Sequence, residues 1–128
     1  MTEPVFLSRD QVLELHHVSL ERWGGLDGLR DPGLLDSALM QPEAAWFHGH
    51  GEACDIAAAY AFHIAQNQPF LDGNKRTAMG AALTFLEING IDADQFDGSQ
   101  LYDAMIALAE KRLDKPGLAA VFRKHLSA

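Results

Sequence analysis

The sequence predicts an all-α fold. Apolar residues recur at helical spacing in segment after segment, and helix caps and stops punctuate the chain at regular intervals. No run of alternating β-branched residues is long enough for a central strand.

The elements follow in order. Ser8 stands three residues before Gln11, a capping-box spacing ahead of Val12, Leu13 and Leu15, and Gly24-Gly25 should stop that first helix. Asp31-Pro32 reads as a cap followed by a first-turn proline, with Leu34, Leu35, Ala38 and Leu39 at helical spacing behind it. Pro42 is expected to end this second helix, leaving 43–51 as a loop or flap carrying Trp46, Phe47, His48 and His50. A third, alanine-rich helix is expected from about Glu52 to Gln66, broken by Asn67-Gln68-Pro69. The fourth runs from about Asp72 to Ile88 and closes at Asn89-Gly90. Two more cover 99–111 and 116–126. The segments 43–51 and 91–97 have room for a short hairpin at most. Ala78, Met79, Ala81, Ala82, Leu83, Phe85, Leu86 and Ile88 leave the fourth helix almost no polar face, so it is expected to be buried at the centre of about six helices.

Composition bounds the function. At 128 residues the chain fits one domain, 1–128, and its 48% apolar and 22% charged residues exclude a disordered or collagen-like chain. A net charge of −8 weighs against direct nucleic-acid binding. The single cysteine, Cys54, allows no internal disulfide and suits a reducing compartment. No stretch approaches a membrane span and the start is not leader-like, so a soluble cytoplasmic domain is expected.

The informative stretch is Gln68-Pro69-Phe70-Leu71-Asp72-Gly73-Asn74-Lys75-Arg76-Thr77, where a loop enters the fourth helix. A helix start is electropositive and its first N–H groups lack intrahelical partners. Acidic residues belong there, yet Lys75 and Arg76 occupy the first turn. Two cations at that end imply an anion, and a loop with glycine, an amide and two cations suits phosphate. Gly73 would let a ligand approach the backbone, Asn74 would donate to an oxygen and Arg76 would grip one bidentately. Asp72 would hold Mg²⁺ bound to a polyphosphate. The bland alternative is that Asp72 caps the helix while Lys75 and Arg76 pair with surface carboxylates. The spacing is neither a P-loop nor a dinucleotide fingerprint.

These residues resemble the signature of the Fic/Doc family, H-P-F-x-D-G-N-[GK]-R. The ending Lys75-Arg76-Thr77-Ala78 looks like the Doc, or death-on-curing, branch. Gly24-Gly25, Gly28-Leu29-Arg30-Asp31, Leu34-Leu35 with Ala38, and Leu113-Asp114-Lys115 extend the resemblance over nearly the whole chain. It implies a compact helical bundle with the motif on a loop before a central helix. It also implies nucleotide chemistry on protein hydroxyls: AMP transfer in most Fic members, and in the Doc toxin phosphorylation of a threonine of elongation factor Tu, which stops translation. Carried over by position, Asp72 would bind metal, Gly73, Asn74, Lys75 and Arg76 would cradle the phosphates of ATP, and Phe70 would anchor the loop. The resemblance further implies a cognate antitoxin, a Phd-like segment lying in a groove of the bundle. The inhibitory motif Ser/Thr-x-x-x-Glu-Gly/Asn is absent, so inhibition would come from that partner.

Two positions depart from the pattern. Gln68 replaces the motif histidine, and an amide cannot take a proton at neutral pH. Loss of a general base costs about 10²–10⁴ in rate. Phosphoryl transfer rests mainly on positioning and charge neutralisation, so a kinase-like activity would survive in attenuated form. Met79 stands where AMP-transferring members carry a second arginine, which favours the Doc branch. The function expected is therefore a Doc-like toxin kinase using ATP and Mg²⁺. A catalytically silent nucleotide- or protein-binding relative and an AMP transferase are the alternatives. Among the other candidates, His63 is a replacement base or a packed structural residue. His48 and His50 with Glu52 form a weak metal pattern. His16, His17 and His125 read as helix-surface residues.

Overall fold

Capping chemistry sets the first boundary of the computed structural model, which describes residues 3–49 and 51–126. Helix α1, Arg9–Trp23, opens with the reciprocal box: Gln11 N–H donates to Ser8 Oγ at 3.1 Å and Ser8 N–H to Gln11 Oε1 at 2.7 Å. It closes at Gly24, in the left-handed region at φ +77°, whose N–H donates to the Leu20 carbonyl. Helix α2, Pro32–Phe47, opens on Asp31, whose carboxylate accepts from Leu34 N–H at 3.1 Å.

Here the structure departs from expectation. Pro42 lies buried inside α2, and the helix continues to Phe47, so 43–47 is helical and no flap or hairpin forms there. An interior proline forfeits one intrahelical bond and crowds the preceding turn. Packing outweighs that cost, because Ala45 and Trp46 in the following turn lie against the core. His48 caps the helix end, and the proposed His48/His50/Glu52 pattern cannot be traced further, since His50 lies outside the described residues. Among the described residues no cluster of three metal-ligating side chains occurs.

Helix α3, Ala53–Asn67, ends at Gln68, and helix α4, Asn74–Ile88, begins at Gly73. The 91–97 segment forms a single 3-10 turn, Ala93–Gln95, not a hairpin. Helices α5, Gly98–Ala109, and α6, Lys115–Leu126, complete the bundle. No strand occurs among the described residues; one isolated bridge pairs Leu29 with Phe70. The all-α reading is borne out. The centre is shared: α4 packs on α1 and α3, while α3 touches α2, α4, α5 and α6. The alanines of α3 from Ala53 to Ala61 are buried, and small side chains let four helices approach its backbone. On α4, Ile88 reaches the surface and Leu83 is half-buried, so that helix is not enclosed all round. No described helix is long and apolar enough to cross a membrane.

Candidate functional site

The loop 68–73 joins the two central helices, and its shape begins with Gln68. That residue caps α3 in the left-handed conformation, φ 47° and ψ 58°, which a non-glycine residue before a proline adopts only under strain. Arg30 holds the corner. Its Nε donates to the Gln68 carbonyl at 2.8 Å and its Nη2 to the Asn67 carbonyl at 2.9 Å. A guanidinium fork on the terminal carbonyls of a helix satisfies orphan acceptors and opposes the negative end of the dipole. The N–H groups of Arg30 and Asp31 both donate to the Pro69 carbonyl, and Leu71 N–H donates to the Gly28 carbonyl. The 28–31 stretch is thus a backbone splint for the motif loop.

Phe70 is buried and lies flat on the ring of His16, with centroids 3.8 Å apart and an interplanar angle of 8°. His16 is not a surface residue, as its helix position suggested. It is buried, and its Nε2 donates to the Asp72 carbonyl at 2.8 Å, which places the ring proton on that nitrogen. Helix α1 turns this face inward onto α4. No signal in the sequence separated His16 from His17, which is exposed and pairs with Glu21 at 3.0 Å. His125 is also partly covered, edge-on to Phe96 at 5.8 Å.

Asp72 does not cap α4. One carboxylate oxygen accepts from Gly73 N–H at 2.9 Å and the other from Leu26 N–H at 3.2 Å. These bonds, from Leu26 first and then Gly73, hold its pKa below the usual carboxylate value, so it is ionised at neutral pH. The α1–α2 loop comes so close that a Cβ on Gly25 would stand 2.8 Å from Asp72 Oδ2, at a φ of +123°. Glycine at that position is a requirement of the contact. Gly73 is the N-cap at φ +77°, so its value is conformational more than spatial.

The three residues after Gly73 divide the work. Asn74 turns its amide back onto the loop, accepting from Phe70 N–H at 3.0 Å and donating to the Phe70 carbonyl at 2.9 Å. In this arrangement it fixes the loop, where the sequence suggested a donor to phosphate. Lys75 is exposed. Neither Lys75 nor Arg76 forms an ion pair among the described residues, contrary to the bland alternative. The Arg76 guanidinium lies 5.6 Å from the centre of the Trp23 ring, and its Nη1 is buried without a hydrogen-bond partner. No protein acceptor meets the first N–H groups of α4 among the described residues.

Residues 72–76 line one wall of a cleft of about 720 Å³ that also includes Gln68 and Leu71. The opposite wall comes from α5, with Tyr102, Met105, Ile106 and Ala109. One side thus offers cations and free N–H groups, and the other an apolar stretch that ends in the charged pair Glu110 and Lys111, an arrangement suited to a ligand with an anionic end and a flat apolar part. His63 is outside this cleft. It is half-buried, bonded to Lys115 Nζ at 3.0 Å, and pushed down to a pKa of about 4 by burial and then by that lysine. It serves α6 packing and is not a replacement base. Met79 is buried in the core, one helical turn below the cleft-lining residues.

A strained loop splinted between two central helices, entering an unpaired cationic helix start, defines the class. The chain belongs to the Fic/DOC family, whose profile matches residues 6–86. Within that family it stands in the Doc branch. It is 39% identical over 123 residues to Toxin Doc of Mycolicibacterium smegmatis, an alignment covering 94% of this chain and 91% of that protein. It is 29% identical over 119 residues to Protein kinase doc of Escherichia phage P1, covering 92% and 93% respectively.

Proposed function

We propose that this chain is a cytoplasmic Doc-type toxin that moves the γ-phosphoryl group of ATP onto a hydroxyl of a translation protein of the elongation factor Tu kind. A cognate antitoxin segment would hold it in check. The observation that carries the reading is Arg76, a cleft-lining residue whose Nη1 is buried without a hydrogen-bond partner, on a helix start whose first N–H groups meet no protein acceptor among the described residues. In a chain of net charge −8, two cations at one helix start with no ion pair among the described residues are a local exception. The naming of one relative as a protein kinase and another as a toxin supports the same reading.

The residues present fit ATP with Mg²⁺. Lys75, Arg76 and the N–H groups of α4 would hold the phosphates, and the ionised, half-buried Asp72 at the cleft would hold the metal together with phosphate oxygens. The metal supplies charge neutralisation on the phosphates when bound. The acceptor hydroxyl forms a bond to the γ-phosphorus as the bond to the β-bridging oxygen breaks, and ADP leaves. The hydroxyl proton goes to solvent or to phosphate oxygen, because Gln68 has no basic lone pair to take it. A kinase of attenuated rate is the consequence.

Gln68 itself favours a second reading, a nucleotide- or protein-binding relative without turnover. AMP transfer is disfavoured by Met79, which lies in the core where a second phosphate-gripping arginine would be needed. One experiment separates the three. The protein is incubated with elongation factor Tu and ATP labelled at the γ- or the α-phosphate. Movement of the γ-label supports the kinase, and movement of the α-label supports AMP transfer. In the kinase case Gln68→His should raise the rate about 10²-fold by restoring a positioned base. ATP binding with no label moved by either form would establish the binding module.

A further inference from the structure

We infer that Trp23 is a positioning residue for the phosphate-gripping guanidinium of Arg76. This rests on the nucleotide reading of the cleft. Trp23 ends α1 and is 60% exposed, an unusual place for a large indole with no packing role. Its ring is occupied by two guanidinium groups, with Arg22 Cζ at 5.0 Å and Arg76 Cζ at 5.6 Å from the centroid.

The chemistry of the contact is what makes it useful. An ion pair would hold Arg76 by consuming the in-plane N–H donors that grip an oxyanion. An aromatic ring holds a guanidinium through electrostatic attraction to the cation and leaves its donors available. That is the observed state: Arg76 has a ring neighbour, forms no ion pair among the described residues although the Asp72 carboxylate is near enough to feel its charge, and keeps Nη1 without a hydrogen-bond partner. The C-terminal end of α1 adds the negative end of a helix dipole beside the same cations. Trp23 therefore presets an arginine that would otherwise lose rotamer freedom on binding.

The test uses the full chain and ATP with Mg²⁺ as the probe. Affinity is measured by calorimetry for the wild type, Trp23→Leu and Trp23→Tyr, with thermal unfolding of each. Trp23→Leu should bind about fivefold more weakly at an unchanged Tm, and Trp23→Tyr should recover most of the loss. A second readout needs no nucleotide. Trp23 and Trp46 are the only tryptophans, so a Trp46→Phe chain reports Trp23 emission alone, and Arg76→Ala should shift it. Equal affinity of Trp23→Leu and a binding-competent wild type would overturn this inference and leave the nucleotide reading standing. No emission change on Arg76→Ala would overturn it as well. Failure of the wild type to bind ATP would overturn the nucleotide reading and this inference with it.

Discussion

The carboxamide of Asn74 holds both backbone polar groups of Phe70, accepting from its N–H at 3.0 Å and donating to its carbonyl at 2.9 Å. An amide is the side chain that offers a donor and an acceptor together at this reach. The loop is therefore locked by the protein before any ligand arrives. Asn74→Ala should destabilise the fold by about 1–3 kcal/mol, because two part-buried backbone groups lose their partner. Asn74→Asp should fall between, keeping the acceptor and suiting the positive helix start. Chemical denaturation of the three forms decides. An Asn74→Ala midpoint equal to wild type would show that the rest of the splint suffices.

Gln68 stores strain at the same loop. Its left-handed backbone costs a non-glycine residue about 1–2 kcal/mol, and Arg30 holds it there through two carbonyls. Gln68→Gly relieves that strain and adds chain entropy to the unfolded state, so the net gain should reach up to about 1 kcal/mol. A stabilised Gln68→Gly protein with reduced transfer activity would mark the side chain as functional and its conformation as a cost borne for it. A clear loss of stability would mean that the Gln68 side chain itself supports the corner.

The caps of α1 and α2, the stop at Gly24 and the break at Gln68 were legible because each is a local event between residues a few positions apart. Pro42 misled because its local penalty is real, and the compensation comes from Trp46 and Ala45 meeting a core assembled from distant helices. At the site, the cationic helix start was legible from Lys75 and Arg76 alone. The jobs of His16, Arg30 and Trp23 were not, because each acts on a partner at least 37 positions away. Gly25 carried a signal that spacing could not interpret: a glycine beyond the one needed to stop α1 implied a close neighbour, which proved to be Asp72.

Arg76→Ala should abolish ATP binding while changing stability by no more than about 1 kcal/mol. The guanidinium makes no hydrogen bond or ion pair among the described residues, and removing a buried unpaired Nη1 relieves a desolvation cost. Calorimetry with ATP and Mg²⁺, alongside thermal unfolding, reads both quantities on one preparation. Preserved affinity with a large fall in Tm would make Arg76 a structural residue and remove the phosphate assignment.

His63 predicts a pH dependence of stability that has nothing to do with the cleft. Burial first, and Lys115 second, push its pKa from 6.5 down to about 4 in the folded protein. Between those values the unfolded chain binds a proton that the folded one does not, so acid favours unfolding. The contribution of neutral His63 is complete above pH 6.5 and is lost progressively as the pH falls toward 4. Partial solvent access reduces its size, so the direction is the prediction. His63→Gln keeps an acceptor for the Lys115 ammonium, 3.0 Å from the wild-type ring nitrogen, and removes the titration. Its Tm should therefore fall less than that of the wild type between pH 7 and pH 4.5, in buffers of equal ionic strength. Parallel falls in the two proteins would place the acid sensitivity elsewhere and show that His63 does not resist protonation in the folded state.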